Sequence, residues 1–255
     1  MMTLPTSPGF RLDGKRALVS GAGRGIGLAA AAALADAGAA VTLMARSGAE
    51  IEAAAAAIRA AGGVADTLVQ DVTDLAGLRQ ALAVRPAYHA FFNNAGTNKP
   101  AHFLDVTEAD FDAVMELNLR AAFFAAQAVA RRMREDGVGG SIINVSSQMG
   151  HVGGPNRSVY CGSKWAMEGW TKAAAIELAP LGIRVNTLGP TFIETPLTKP
   201  FFENPGFKEW VLGKIKLGRV GQVADLMGPV VFLASEASAL MTGTALVIDG
   251  GWTAE

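Results

Sequence analysis

Tyr160 and Lys164 stand four residues apart in Tyr160-Cys161-Gly162-Ser163-Lys164, so on a helix they share a face. A phenol with a pKa of about 10 is a poor base at neutral pH. Lowering it by about 3 units requires roughly 4 kcal/mol of preference for the phenolate. An ammonium about 4 Å away, at an effective dielectric near 20, supplies about 4 kcal/mol. The pair therefore has the chemistry to exchange a proton with an alcohol or carbonyl oxygen. Taken alone, such a pair is more commonly a surface helix pair.

A second group lies near the N-terminus. Ser20-Gly21-Ala22-Gly23-Arg24-Gly25-Ile26-Gly27 falls between a short apolar run, Arg16 to Ser20, and an alanine-rich helical stretch. Glycines permit a tight turn and let backbone approach a pyrophosphate. The following helix offers free N–H groups and a positive dipole end. By itself the pattern also fits a plain strand-to-helix turn. Beyond the next strand the chain reads Ala45, Arg46, Ser47. An NAD site wants a carboxylate there for the ribose 2′-hydroxyl. An arginine with a hydroxyl neighbour instead suits a 2′-phosphate, which guanidinium binds through several charge-assisted hydrogen bonds. Arg24 in the glycine loop can approach the same pocket. NADP is therefore the expected cofactor, with NAD as the alternative.

These groups need elements to hold them. Short β-rich runs alternate with helical stretches: strands at Arg16 to Ser20, Ala40 to Ala45, Val64 to Val69, Ala90 to Asn93, Ser141 to Val145, Arg184 to Leu188 and Ala245 to Ile248. Helices are expected near Gly25 to Ala37, Gly48 to Ala61, Leu75 to Ala83, Glu108 to Glu135, Ser158 to Ala179 and Gln222 to Ala234. Gly38 suits a helix C-terminus and Thr107 an N-cap. Strand–helix alternation of this kind means an α/β domain with a parallel sheet covered on both faces. The one long irregular stretch, Pro190 to Gly221, reads as a lid. It mixes Lys199, Phe201, Phe202, Phe207, Lys208 and Trp210, which suits closure with an apolar underside.

The glycine spacing resembles that of the short-chain dehydrogenase/reductase family, and other signatures agree. Asn93-Asn94-Ala95-Gly96 follows the fourth strand, Ser147 lies thirteen residues before Tyr160, and Asn118 sits mid-helix. Asp71 follows the third strand, and Asp249-Gly250-Gly251 lies near the C-terminus. The resemblance, to the family's classical type, runs from Leu12 to Trp252. It departs at Gly189-Pro190-Thr191, where the family has Pro-Gly, while Pro190 and Thr195 match. The resemblance implies a single Rossmann-type domain over residues 1–255, a doubly wound seven-stranded sheet of order 3-2-1-4-5-6-7, and a homotetramer. Alanine- and phenylalanine-rich faces such as Ala121 to Ala130, and the last strand, are the expected interfaces.

The resemblance also implies roles. Tyr160 is the general acid or base, Ser147 positions the substrate oxygen, and Lys164 lowers the tyrosine pKa and holds the nicotinamide ribose. Asn118 holds a water linking Lys164 to solvent. Cofactor contacts are expected from Gly21, Arg24, Gly25, Ile26, Gly27, Arg46, Ser47, Asp71, Val72, Asn94, Ala95, Gly96, Pro190 and Thr195, besides Tyr160 and Lys164. Gln148 and His151 are candidate substrate contacts, and polar groups near the site point to a sugar, polyol or sugar acid. A non-catalytic dinucleotide sensor would not need Ser147, Tyr160, Lys164 and Asn118 together. A nucleotide-sugar epimerase of the extended type wants a longer C-terminal region.

The composition limits the remaining possibilities. The 255 residues carry 22 Lys plus Arg against 23 Asp plus Glu, so nothing recruits nucleic acid or an anionic membrane. Hydrophobic residues make up 50% and charged residues 18%, which excludes a disordered chain. No apolar run is long enough to span a membrane, and Met1 to Phe10 has no secretory pattern. Arg131, Arg132 and Arg134 fall where a helix should end, which suits its dipole. His89, His102 and His151 show no metal-ligand spacing. Cys161 is the only cysteine and is expected to be a buried, inert thiol in a cytoplasmic protein.

Overall fold

Strands this apolar must be covered on both faces, because alternate side chains leave a sheet on opposite sides. The computed structural model describes residues 4–196 and 198–254. Residues 1–3, 197 and 255, at the ends of the expected domain and within its expected lid, lie outside the described residues. In chain order the elements are β1 (Arg16–Ser20), α1 (Gly25–Asp36), β2 (Ala40–Ala45), α2 (Gly48–Ala60), β3 (Val64–Val69), α3 (Leu75–Ala83) and β4 (Ala90–Asn93). They continue as α4 (Glu108–Met115), α5 (Ala122–Glu135), β5 (Gly140–Val145), α6 (Ser158–Leu178), β6 (Ile183–Pro190), α7 (Pro205–Lys214), α8 (Ala224–Ala234) and β7 (Ala245–Ile248). The seven strands form one parallel sheet of order 3-2-1-4-5-6-7. This is the doubly wound Rossmann-type fold.

The alternation divides the core into two layers. Val19, Val41, Leu43, Phe92 and Ile143 pack with residues of α1, α2 and α8 on one face. Leu18, Met44, Phe91, Ile142 and Val185 pack with α3, α5 and α6 on the other. Small residues let α1 sit close to the sheet, with Ala30, Ala31 and Leu34 fully enclosed. Helix ends follow local chemistry. Gly38 takes a φ of +105° beyond α1, and Thr107 Oγ1 accepts from the Asp110 N–H at 3.1 Å. Arg132 at the end of α5 pairs with Glu135 and Asp136 at 2.7 and 2.8 Å.

Two expected elements differ. The helix expected over Glu108 to Glu135 is interrupted by a π-helical segment, Glu116–Ala121, between α4 and α5. A π turn re-aims side chains relative to the turns around it, and Asn118 within it is fully buried. The expected irregular stretch Pro190 to Gly221 contains a 3-10 turn, Lys199–Glu203, and the whole of α7. Asn204 caps α7 by accepting from the Phe207 N–H at 3.2 Å, with Pro205 in the first helical position. The underside of this excursion is apolar: Val211, Ile215 and Trp252 form a third small core with Phe192, Phe202, Phe207 and Trp210 around it. No helix among the described residues is long and apolar enough to cross a membrane.

Candidate active site

The chain runs outward from β1 to β3 and then returns to β4 on the other side of β1. This reversal leaves a crevice beyond the carboxyl ends of the strands. There a cleft of about 1080 Å³ is lined by the glycine loop, the ends of β2 to β6 and part of the Pro190–Gly221 excursion. Ser20 joins its two halves. Its hydroxyl accepts from the Asn94 and Ala95 N–H groups at 2.9 and 3.1 Å. The Asn94 amide in turn donates to the Ser20 and Gly21 carbonyls at 3.1 and 3.2 Å.

That packing leaves no room for side chains on the inner side of the loop. A Cβ on Gly27 would collide with the Gly21 carbonyl, and one on Gly21 would come 2.9 Å from the Asn94 amide nitrogen. Gly21 and Gly25 have φ of +63° and +56°, where a side chain would be strained. The start of α1 faces the cleft through Arg24, Gly25 and Ile26, with Thr195 opposite Gly25. This cradle fits a dinucleotide pyrophosphate at a helix N-terminus.

Charges are balanced at the outer end of the cleft. Arg46 is four-fifths exposed and lies 4.0 Å from Asp71. Ser47 caps α2, accepting from the Glu50 N–H at 3.3 Å. Arg24 pairs with Glu50 at 3.5 Å. Burial works to raise the Asp71 carboxyl, but hydrogen bonds from Thr73 and the Arg46 charge leave it below its ordinary value. Glu50, a carboxylate beside Gly23, was not foreseen as part of this pocket. Its place in the sequence, three residues past a capping serine, reads only as a helix start.

The groups expected to exchange a proton form the opposite wall. Ser147 Oγ donates to Gln148 Oε1 at 2.7 Å and accepts from the Met149 N–H at 3.1 Å. Lys164 Nζ donates to the Val145 carbonyl at 2.7 Å and lies 5.5 Å from the centre of the Tyr160 ring. Burial pushes the Tyr160 phenol above its ordinary value, against the pull of the Ser147 hydroxyl. The expected lowering of Tyr160 by Lys164 is not found in this arrangement: the ammonium is directed to a carbonyl. Burial also brings Lys164 down to about 8, with Glu168 acting in the opposite direction.

Asn118 and Ser163 brace this wall. Asn118 accepts from the Thr97 N–H and donates to the Thr97 carbonyl, both at 2.8 Å, and donates to Ser163 Oγ at 3.3 Å. Ser163 in turn donates to the Tyr160 carbonyl at 2.7 Å. The side chain of Asn118 thus ties the loop after β4 to α6.

The other expected residues divide. Val72, Ala95, Gly96, Gln148, Pro190 and Thr195 all line the cleft. His151 does not: its Nε2 lies 3.5 Å from Glu168 Oε1, and among the described residues neither atom has a hydrogen-bond partner. The expected substrate contact is corrected accordingly, since a buried carboxylate draws the imidazole toward itself. Burial raises the half-buried Cys161 thiol, consistent with an inert group. Arg157, not foreseen in the sequence, lines the cleft three residues before Tyr160.

A buried ammonium costs stability while the unfolded chain keeps it protonated. For Lys164 that cost is complete below about pH 8 and vanishes as the pH rises toward its ordinary 10.5. Replacing Lys164 by Met should therefore raise Tm of the cofactor-free protein at neutral pH. The gain should shrink between pH 8 and 10.5, as followed by thermal melts across that range. A gain that ignores pH would assign the effect to packing instead.

The comparisons with known proteins agree with this geometry. A family model described as enoyl-(acyl carrier protein) reductase matches residues 21–253. L-xylulose reductase of Bos taurus is 38% identical over 245 residues, covering 96% of this chain and 99% of the relative. Gluconate 5-dehydrogenase of Gluconobacter oxydans (strain 621H) is 36% identical over 248 residues, covering 96% of each. The crystal structure of a gluconate 5-dehydrogenase from Burkholderia cenocepacia J2315, in complex with NADP and tartrate, superposes with a TM-score of 0.93 at 38% identity. That match covers 96% of this chain and 98% of the other. With its sheet order, glycine cradle and Ser147, Tyr160 and Lys164 wall, the chain belongs to the short-chain dehydrogenase/reductase family of oxidoreductases.

Proposed function

We propose that this protein is an NADP-dependent oxidoreductase that interconverts an alcohol and a carbonyl on a small hydroxylated substrate: a sugar, polyol or sugar acid. The observation that carries this reading is the meeting of Ser147, Tyr160 and Lys164 on one wall of a cleft whose other end is a glycine cradle. The L-xylulose reductase and gluconate 5-dehydrogenase relatives support the substrate class.

NADP, when bound, gives or takes the hydride at its nicotinamide ring. Gly21 to Gly27 and Thr195 hold the pyrophosphate, and Asp71, Val72, Asn94, Ala95, Gly96 and Pro190 flank the path of the cofactor. Ser147 donates a hydrogen bond to the substrate oxygen, and Tyr160 exchanges the proton with it. A phenol held above its ordinary pKa is protonated at neutral pH, which is the form that reduction of a carbonyl requires. Lys164, which donates to the Val145 carbonyl here, would hold the nicotinamide ribose, and Asn118 keeps the wall in register. The stretch 190–221 acts as the lid of a single domain spanning residues 1–255.

The 2′-phosphate falls to Arg46, with no acidic residue at positions 45–47, and the solved relative with bound NADP supports this. Glu50 beside the glycine loop is the one observation that favours NAD. We also infer a homotetramer in a reducing cytoplasm. The alanines of Ala121 to Ala130 contribute less to its interfaces than expected, since most are buried within the subunit. Phe111, Phe123, Trp165 and Leu240 are among the exposed apolar residues, and β7 is an edge strand.

Three measurements check these statements. Arg46→Ala should raise KM for NADP about 10-fold or more, the size expected for a lost charge-assisted contact, and leave NAD nearly unchanged. Equal effects on both would return the preference to NAD. Tyr160→Phe should lower kcat by about 100-fold or more without weakening NADPH binding. Turnover that survives it would remove Tyr160 from the chemistry. Light scattering should give four times the chain mass of 26.4 kDa; a monomer would end the tetramer reading.

A further inference from the structure

The arginines that line the cleft differ in their partners. Arg24 faces Glu50 and Arg46 faces Asp71. Arg157 has no carboxylate within ion-pair distance among the described residues, yet it is only 7% exposed. Its one recorded hydrogen bond runs from Nη1 to the carbonyl of the adjacent Asn156, at a long 3.3 Å. Guanidinium is costly to enclose without a counter-ion. Burial does bias Arg157 against its charged form. A group kept at such a cost in a cleft wall suits an anion that arrives from outside.

The surroundings hold the guanidinium in place. Arg157 lines both the main cleft and a neighbouring cavity of about 450 Å³. Its Cζ stands 5.9 Å from the centre of the Phe201 ring, which belongs to the lid. A guanidinium over an aromatic face at this distance keeps its N–H donors available for a planar acceptor. Asn156, with a φ of +59°, turns the chain just before it. The charge of Arg157 also reaches the Tyr160 phenol. About one helical turn, roughly 5 Å, separates the Arg157 position from that of Tyr160. Both residues line the same cleft, so a short molecule with an oxygen at Tyr160 can present an anion to Arg157.

We propose that Arg157 is the specificity-determining residue of this cleft and takes the carboxylate of a hydroxy- or oxo-acid substrate, which selects sugar acids over neutral sugars and polyols. The proposal rests on the oxidoreductase reading above and narrows its substrate. Phe201, seated on the guanidinium, links binding of the acid to the position of the lid.

The test compares hydroxy acids of four to six carbons, tartrate and gluconate among them, with the alditols of the same skeletons. Binding to the NADPH-loaded protein is read by cofactor fluorescence, and oxidation, with NADP+ as the hydride acceptor, by absorbance of the NADPH formed. At least one acid should bind more tightly than its alditol. Arg157→Gln should weaken that acid about 10- to 100-fold and leave the alditol and NADPH little changed. Arg157→Lys, which keeps the charge but not the fork, should fall between. Tm of Arg157→Gln should be equal to or above that of the wild type, because an uncompensated buried charge is removed.

Acids that bind no better than alditols, or an Arg157→Gln loss that is equal on both together with a lower Tm, would overturn the proposal and leave Arg157 as a lid support. Alditol turnover that depends on Tyr160 would survive that result and keep the broader reading. Acid binding that depends on Arg157 without turnover of any acid or alditol would have the opposite meaning.

Discussion

At the reversal between β1 and β4, the hydroxyl of Ser20 receives two backbone N–H groups while the Asn94 amide caps two carbonyls of the glycine loop. This exchange is mutual. It uses the carbonyls of the loop inside the protein, so the N–H groups at the start of α1 are left to face the cleft. It also sets β4 and its following loop against β1 at one height. Asn118 extends the same connection to α6 through Thr97 and Ser163. The glycine cradle and the Ser147, Tyr160 and Lys164 wall are thus braced by two hydrogen-bond networks that the backbone of residues 94–97 joins. A displacement at Ser20 would be felt at Tyr160.

The wall itself is an α6 problem. Residues 160, 164 and 168 repeat every four along the helix and so share a face. Burying that face gives the helix its seat on the sheet and strips water from a phenol, an ammonium and a carboxylate together. The cost appears in two ways: Tyr160 held protonated and Lys164 brought down to about 8. The neighbours limit it. Val145 accepts from Lys164, Thr187 donates to Glu168, and His151 turns toward the remaining carboxylate oxygen. A site with desolvated groups of this kind is poised for a substrate that supplies the missing contacts.

Much of this was legible in the residue pattern. Strand positions were clear because a sheet buried on both faces requires short, continuous apolar runs, and the glycines between them mark the turns. Helix α7 was not, although Asn204-Pro205 is a regular helix opening. Its mixed, aromatic face packs on Phe192 and Trp252, which are distant in sequence, so local periodicity carried little signal. The π-helical segment was hidden for a related reason. Nothing in Glu116–Ala121 opposes an ordinary helix, and Asn118 is drawn inward by the backbone of Thr97, a partner supplied by another loop.

Residue types and spacings by themselves determined the fold class, the glycine cradle and the shared helix face of Tyr160 and Lys164. Each depends on local geometry: four residues per shared helix face, two per strand face, and a φ open only to glycine. Which charges are satisfied was decided by the tertiary structure alone. Arg24, Arg46 and Arg157 are alike in sequence, but the first two meet carboxylates from α2 and the loop after β3, and the third meets only Phe201 and a carbonyl. His151 lies close to Ser147 in sequence, but its imidazole stands 3.5 Å from Glu168 of α6 and does not line the cleft. Electrostatic partnership depends on distance in space and on exclusion of water, and neither exists until the layers close.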